Sequence, residues 1–215
     1  MALMKAKEIP EDGVALDELE ATEYVWNLVF DWETTSDTWA LKYAPVALGG
    51  LNALCGVLIN RHFRKKLNLG NYGYFASVVP ITLMPAVLTA LFHRQLISTD
   101  LLLMKNQGCP LCYEVRSAAV QCSLGTAYPM ILAPTSALMF ANRYSTYRVP
   151  NLNEGAAVIF KFLRKVTRPY NSTLTFMIVA QVLASSIFTY YEMVNNLTLR
   201  SKIMEIEAKL EKGQQ

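Results

Sequence analysis

The sequence predicts an all-α, polytopic membrane protein with four transmembrane helices, and three observations carry that prediction. Hydrophobic residues make up 53% of the 215-residue chain and charged residues only 17%, a balance shifted away from that of soluble domains. The charges are clustered, which leaves four stretches without Asp, Glu, Lys, Arg or His: Tyr43–Asn60, Leu67–Phe92, Ser117–Asn142 and Pro169–Tyr191. These hold 18, 26, 26 and 23 residues, and a helix of about 20 apolar residues crosses ~30 Å of hydrocarbon. A soluble fold that buried four such helices would have too little polar surface to cover them.

Residues 1–42 form an arm with ten acids (Glu8, Glu11, Asp12, Asp17, Glu18, Glu20, Glu23, Asp31, Glu33, Asp37) against Lys5, Lys7 and Lys42. Presequences are basic and secretory signals carry an early apolar stretch, so targeting is expected to use the internal spans. Leu16, Leu19, Trp26, Val29 and Phe30 recur at helical spacing, which predicts an amphipathic helix. Anionic lipid repels such a helix, so its apolar face is expected in a protein groove or against the chain itself.

The transmembrane domain is placed at 43–194. In the first span Gly49, Ala53 and Gly56 are small residues at steps of four and three, and in the third Ala133, Ala137 and Ala141 make a longer stripe; such stripes let helix backbones approach closely. Pro80 and Pro85 in the second span, and Gly125, Pro129 and Pro134 in the third, are expected to kink their helices and free carbonyls for other groups to satisfy. Asn52, Gln121 and Gln181 are the amides expected to bond between helices. No ionisable residue falls inside the four stretches, which argues against a proton- or ion-coupled pump. Beyond the fourth span, the tail at 195–215 sets Leu199, Ile203, Ile206 and Leu210 at steps of four, three and four, so that span is expected to continue as an amphipathic helix.

The connections set the orientation. Arg61, Arg64, Lys65 and Lys66 occupy 61–73, and Arg143, Arg148, Lys161, Arg164, Lys165 and Arg168 occupy 142–172 against Glu154. Both connections lie on one face, and the middle connection, with Arg94, Lys105 and Arg116, lies on the other with both termini. The positive-inside rule therefore predicts both termini outside, with the ten basic residues available to a protein partner or to membrane lipid such as cardiolipin. No nucleic-acid partner is expected.

The middle connection also holds Cys109-Pro-Leu-Cys112. The C-x-x-C spacing is compatible with a redox dithiol, half a zinc site or a short-range disulfide. His93 is the only histidine on that face, too few ligands for a four-coordinate zinc; a structural disulfide fits best if the compartment is oxidising. Cys55 and Cys122 lie within spans and read as small apolar residues. His62, between Arg61 and Arg64, reads as part of a solvated basic loop, and no haem or other cofactor is expected from two histidines without helical spacing. The sequons Asn171-Ser-Thr and Asn196-Leu-Thr fall on opposite predicted faces and read as chance occurrences.

Two blocks resemble the transmembrane protein 126 family. The first is Gly50-Leu-Asn-Ala-Leu-Cys-Gly56 with Phe63-Arg64-Lys65 and Leu67-Asn68. The second is Cys109-x-x-Cys112, Arg116-Ser117, Gly125, Tyr128-Pro129, Leu132-Ala133, Ala141-x-Arg143-Tyr144 and Pro150. The resemblance covers roughly residues 45–195, and its C-x-x-C is similar to that of the A-type members. It implies a protein of the mitochondrial inner membrane that assists assembly of respiratory complex I beside an intermediate-assembly complex containing ECSIT and an acyl-CoA-dehydrogenase-type partner. Both termini are then expected in the intermembrane space. Three readings stand at this stage: a non-enzymatic scaffold or chaperone of the respiratory chain; a small-solute transporter or channel, which a polar cavity between spans two and three would favour; and a membrane redox protein using Cys109 and Cys112.

Overall fold

A computed structural model describes residues 16–104, 109–150 and 156–213. Lys5, Lys7, Glu8, Glu11, Asp12, Lys105 and Glu154, named above, lie outside them, as does the side chain of Leu210. The described residues contain no strand. Six helical elements follow in order: α1 (Glu18–Asp31), α2 (Thr35–Lys66), α3 (Tyr74–Leu102), α4 (Pro110–Tyr144), α5 (Ala156–Thr167) and α6 (Asn171–Gly213). Four of these, α2, α3, α4 and α6, are long and apolar enough to cross a membrane.

The spans begin and end away from the charge boundaries. Helix α2 starts at Thr35, α3 starts at Tyr74 rather than Leu67, and α6 runs unbroken past Glu192 to Gly213. A charge marks where a chain meets water or a compensating partner, and helical hydrogen bonding continues through it. The late start of α3 has a local cause: Asn68, Gly70 and Gly73 all adopt positive φ, a turn that costs least at glycine. At Gly73 a Cβ would also lie 2.9 Å from the Phe140 ring. In α3 and α4 the regular ladder gives way to π-helical turns at Val79–Leu83, Arg94–Ser98 and Ser123–Ala127, an irregularity that often re-aims side chains at functional positions.

Burial in the spans is inverted relative to a soluble protein. Along α6 the buried side chains include Gln181, Ser185, Thr189, Glu192, Asn195 and Asn196, while Phe176, Val179, Leu183, Ile187, Tyr190 and Leu197 are exposed. Along α3 the buried set includes Ser77, Thr82, Thr89, His93 and Ser98, and the exposed set Phe75, Val79, Leu83, Val87 and Leu91. In water that arrangement would be strongly unfavourable; in hydrocarbon it is the stable one, because polar groups must find partners inside and apolar groups cost nothing outside. The connection between the third and fourth spans carries its own amphipathic helix. On α5 the apolar Ile159, Phe162, Leu163 and Val166 are half-buried and Lys161, Arg164 and Lys165 are exposed beside Val158 and Phe160, the composition of a helix lying at a membrane interface.

The chain divides into two compact units. Unit one comprises residues 1–45, 92–117 and 186–215. Its apolar core is Val25, Trp26, Val29, Leu41, Leu102 and Leu199, with Ile203 packed against it. Helix α1 is held here by its own chain: the Trp26 indole donates to Thr99 Oγ1 at 3.0 Å, and the Arg94 guanidinium stacks 4.3 Å from the Trp26 ring. Leu16, Leu19 and Phe30, assigned above to the apolar face with Trp26 and Val29, are exposed. The tail docks at the C-terminal carbonyls of α3, where Asn196 donates to Leu101 O at 3.1 Å and Arg200 to Leu102 O at 2.6 Å. Lys202 pairs with Asp37. Unit two comprises residues 46–91 and 118–185. Its core is Cys55, Ile59, Phe63, Leu67, Leu69, Ile81, Ala133, Ala137, Phe140, Ala141 and Met177.

Candidate functional site

Unit two contains a buried amide network that ties all four spans together. Asn52 on α2 is its hub. Asn52 Nδ2 donates to Thr89 Oγ1 on α3 at 2.7 Å, and Asn52 Oδ1 accepts from Gln121 Nε2 on α4 at 2.8 Å and from Gln181 Nε2 on α6 at 3.3 Å. Thr126 Oγ1 donates to Gln181 Oε1 at 2.8 Å, and Thr89 Oγ1 donates to the Pro85 carbonyl at 2.6 Å. The π-helical turn at Ser123–Ala127 carries both Gly125 and Thr126. A Cβ at Gly125 would fall 2.0 Å from Asn52 Oδ1 and 2.3 Å from Gln181 Nε2, so glycine here leaves room for the amides to meet. The three amides expected to bond between helices are thus found in one cluster, bonded to one another through Asn52, while Gln121 Oε1 stays buried without a donor.

Unit one contains a second polar cluster, built around a buried ionisable pair. His93 and Glu192 are 1% and 0% exposed, with His93 Nε2 at 3.2 and 3.1 Å from the two carboxylate oxygens. The π-helical turn at Arg94–Ser98 brings Ser98 Oγ into position to donate to Glu192 Oε1 at 2.9 Å. Ser117 Oγ lies 3.4 Å from His93 Nδ1. Sequence reasoning missed this pair because each residue was read as the charged border of a span. A signal was present: His93 follows the second stretch, Ser117 opens the third and Glu192 follows the fourth, all on the same predicted face. Nearby, Arg116 pairs with Asp100 at 2.7 Å and donates to Leu96 O at 2.9 Å.

The ten basic residues separate into nine and one. Arg61, Lys65, Lys66, Arg143, Arg148, Lys161, Arg164, Lys165 and Arg168 are exposed. Arg64 is not; it is 5% exposed, so its assignment to a partner-contacting surface is corrected. Its guanidinium instead donates to the carbonyls of Gly70 and Tyr72, each at 2.8 Å, to Gly73 O at 3.4 Å and to Ser77 Oγ at 2.9 Å. The positive-φ turn at 68–73 leaves carbonyls without helical donors, and Arg64 supplies them. His62, read above as solvated, is half-buried, stacked on Tyr170 with ring centroids 4.1 Å apart and 3.3 Å from Val166 O. All ten basic residues fall in unit two, and the one acid within its residue range is Glu154.

The small residues of the first span meet the backbone of α3. A Cβ added to Gly49 would lie 2.6 Å from Ala86 O, and one added to Gly56 would lie 2.6 Å from Ile81 O; Ala53 between them is half-buried. Ala133, Ala137 and Ala141 are at most 1% exposed and face the core of unit two. At the head of α4, Cys109 and Cys112 are joined by a disulfide with Cα atoms 5.4 Å apart, and Cys112 N–H donates to Cys109 O at 3.1 Å. Among the described residues no group of three or more His, Cys, Asp or Glu is placed to hold a metal ion. Asn196, in the second sequon, is 5% exposed, which removes it from glycosylation in the folded chain.

Comparison with known proteins agrees with this architecture. No solved structure matches the chain. Transmembrane protein 126 of Drosophila melanogaster is 40% identical over 213 residues, covering 98% of this chain and 96% of the relative. Transmembrane protein 126A of Mus musculus is 27% identical over 151 residues, 70% of this chain and 74% of the relative. The human protein of that name is 29% identical over 141 residues, 64% and 68% of the two chains. The family model described as Transmembrane protein 126 matches residues 26–204, a range that takes in α1 from Trp26 onward, the four charge-free stretches, both polar clusters and the docking residues Asn196, Arg200 and Lys202, and the chain therefore belongs to the transmembrane protein 126 family.

Proposed function

We propose that this protein is a non-enzymatic scaffold of the mitochondrial inner membrane that assists the assembly of the membrane arm of respiratory complex I. The observation that supports the reading most is the division of labour between its polar groups. The buried amides and the His93–Glu192 pair bind one another between helices, whereas nine cations of unit two stand exposed. A membrane domain built that way holds its shape without a ligand and offers a basic face to acidic partners. Under the positive-inside rule that face looks into the matrix, and both termini lie in the intermembrane space, where a Cys109–Cys112 disulfide persists. Partners expected on this reading are complex I membrane-arm subunits and assembly factors, including ECSIT and the acyl-CoA-dehydrogenase-type protein of the intermediate-assembly complex.

The test is immunoprecipitation of the tagged chain from detergent-solubilised mitochondria, read by mass spectrometry. Complex I subunits and assembly factors should be enriched, and should be reduced when Lys65, Lys66, Arg164 and Lys165 are changed to Glu while membrane insertion persists. Their absence from the wild-type eluate would overturn the proposal. The transporter reading fits less well, because the amides of the second unit are bonded to each other and the cavity described below lies between spans one and two.

A further inference from the structure

We infer that unit two carries a binding site for the headgroup of an anionic phospholipid bearing a free hydroxyl, of the glycerol type, in the cavity between the C-terminal end of α2 and the start of α3. The cavity has a volume of about 660 Å³, the size of a small-ligand site. Three cations line it, Arg61, Arg64 and Lys65, and no carboxylate does. Arg61 and Lys65 are one helical turn apart on α2, so their charged ends share a face and repel one another. Neither has a partner among the described residues. Arg64 is 5% exposed, and its hydrogen bonds end on carbonyls and a hydroxyl, which satisfy its N–H groups without neutralising its charge. A buried guanidinium beside two unpaired cations is stabilised by a bound anion.

A second observation narrows the ligand. Asn60 lines the same cavity and is 2% exposed; its Nδ2 donates to Ser77 Oγ, but its Oδ1 accepts nothing. A buried carbonyl oxygen without a donor is costly, so the ligand that satisfies this wall presents a donor beside its phosphate. A glycerol hydroxyl does so while leaving the headgroup net negative; an ethanolamine ammonium would cancel the charge that the three cations require. The membrane supplies the rest of the fit. Val57 lies one turn into the first span from Arg61 and Val78 one turn into the second from Tyr74, and both line the cavity, giving it an apolar wall toward the hydrocarbon. Basic pockets between helices at the positively charged membrane face are suited to such headgroups.

The site goes beyond the scaffold role and rests only on the chain being membrane-embedded, so its test avoids every assembly partner. The purified full chain in detergent would be exposed to phosphatidylglycerol, phosphatidic acid or phosphatidylcholine and its retained lipid read by native mass spectrometry. Phosphatidylglycerol should be held over phosphatidylcholine at one site. Arg61→Gln/Lys65→Gln should reduce that retention by about tenfold or more, whereas Lys161→Gln/Lys165→Gln, on the exposed face of α5, should not. Asn60→Ala should narrow the preference for phosphatidylglycerol over phosphatidic acid. Equal retention of phosphatidylglycerol and phosphatidylcholine, or equal loss in the α5 variant, would overturn the site. Displacement by millimolar glycerol phosphate would overturn the lipid as its occupant, in favour of a water-soluble phosphate.

Discussion

Removing one partner of the His93–Glu192 pair should be far more damaging than weakening it, and the structure sets the order of the effects. Glu192 is fully buried, and its partners are His93 Nε2 at 3.1 and 3.2 Å and the Ser98 hydroxyl at 2.9 Å. His93→Ala leaves the carboxylate with one hydroxyl and an empty space where the ring stood, a change expected to cost about 3–5 kcal/mol. Glu192→Gln keeps the shape and an acceptor oxygen while removing the charge, and its cost should be nearer 1–3 kcal/mol. His93→Leu/Glu192→Met replaces both partners by apolar groups of similar size and should recover much of the loss, because no buried polar group is then left without its partner. Thermal unfolding of the purified variants in one detergent, beside their steady-state abundance in membranes, would measure this. Equal stability of His93→Ala and Glu192→Gln would refute the view of the pair as a desolvated tie between α3 and α6. A double variant that is stable but inactive would show that the pair works in function rather than architecture.

Gly125→Ala should destabilise unit two by about 1–3 kcal/mol, since overpacking forces apart the Asn52 and Gln181 amides that meet there; an unchanged melting temperature would refute the close approach. Ala137→Leu should cost a similar amount, about 1–3 kcal/mol, and lower abundance, whereas normal levels would mean that the alanine stripe faces lipid. Cys109→Ser/Cys112→Ser should lower abundance modestly and spare function, because a ring this small constrains the unfolded chain little; maleimide labelling of both cysteines in intact membranes without reductant would refute the disulfide. Truncation after Arg200 should release α1 from protease protection in detergent, since it removes Ile203 and the Lys202 partner of Asp37; an unchanged digestion pattern would show that Asn196, Leu199 and Arg200 suffice to dock the tail.

The spans were legible because the cost of a charge in hydrocarbon is large enough to mark each one in the sequence. Which face of each span turns inward was less legible. Asn52, Gln121 and Gln181 stood out as amides among apolar residues, but nothing in their spacing assigns all three to one cluster. That required Gly125, whose missing side chain makes the space, and sequence reading gave Gly125 only a bending role. Likewise the stepping of Leu199, Ile203 and Ile206 predicted an amphipathic helix but not what it packs against: Leu199 and Ile203 join the core of unit one and Ile206 is exposed, and nothing in the sequence singled out Arg200, which donates to the end of α3.

Arg64 and Glu192 show where the reasoning from charge runs out. Arg64 was read as part of a basic connection available to a partner, and Glu192 stands directly after the fourth charge-free stretch. Both are buried, and for the same physical reason: each packs against a segment whose backbone has departed from the regular helix and has polar groups to offer. The turn at 68–73 presents carbonyls to Arg64, and the π-helical turn at Arg94–Ser98 presents the Ser98 hydroxyl to Glu192. A charge near a span boundary therefore carries two meanings, exposed anchor or buried tie, and the local backbone decides between them. Charge reversal can separate them here. Lys65→Glu, at an exposed neighbour of Arg64, should leave the fold intact and alter only binding, whereas Arg64→Glu sets a carboxylate against the carbonyls of Gly70 and Tyr72 and should unfold the turn, a loss of about 3–5 kcal/mol. Comparable thermal stability of the two variants would show that Arg64 is an exposed anchor after all.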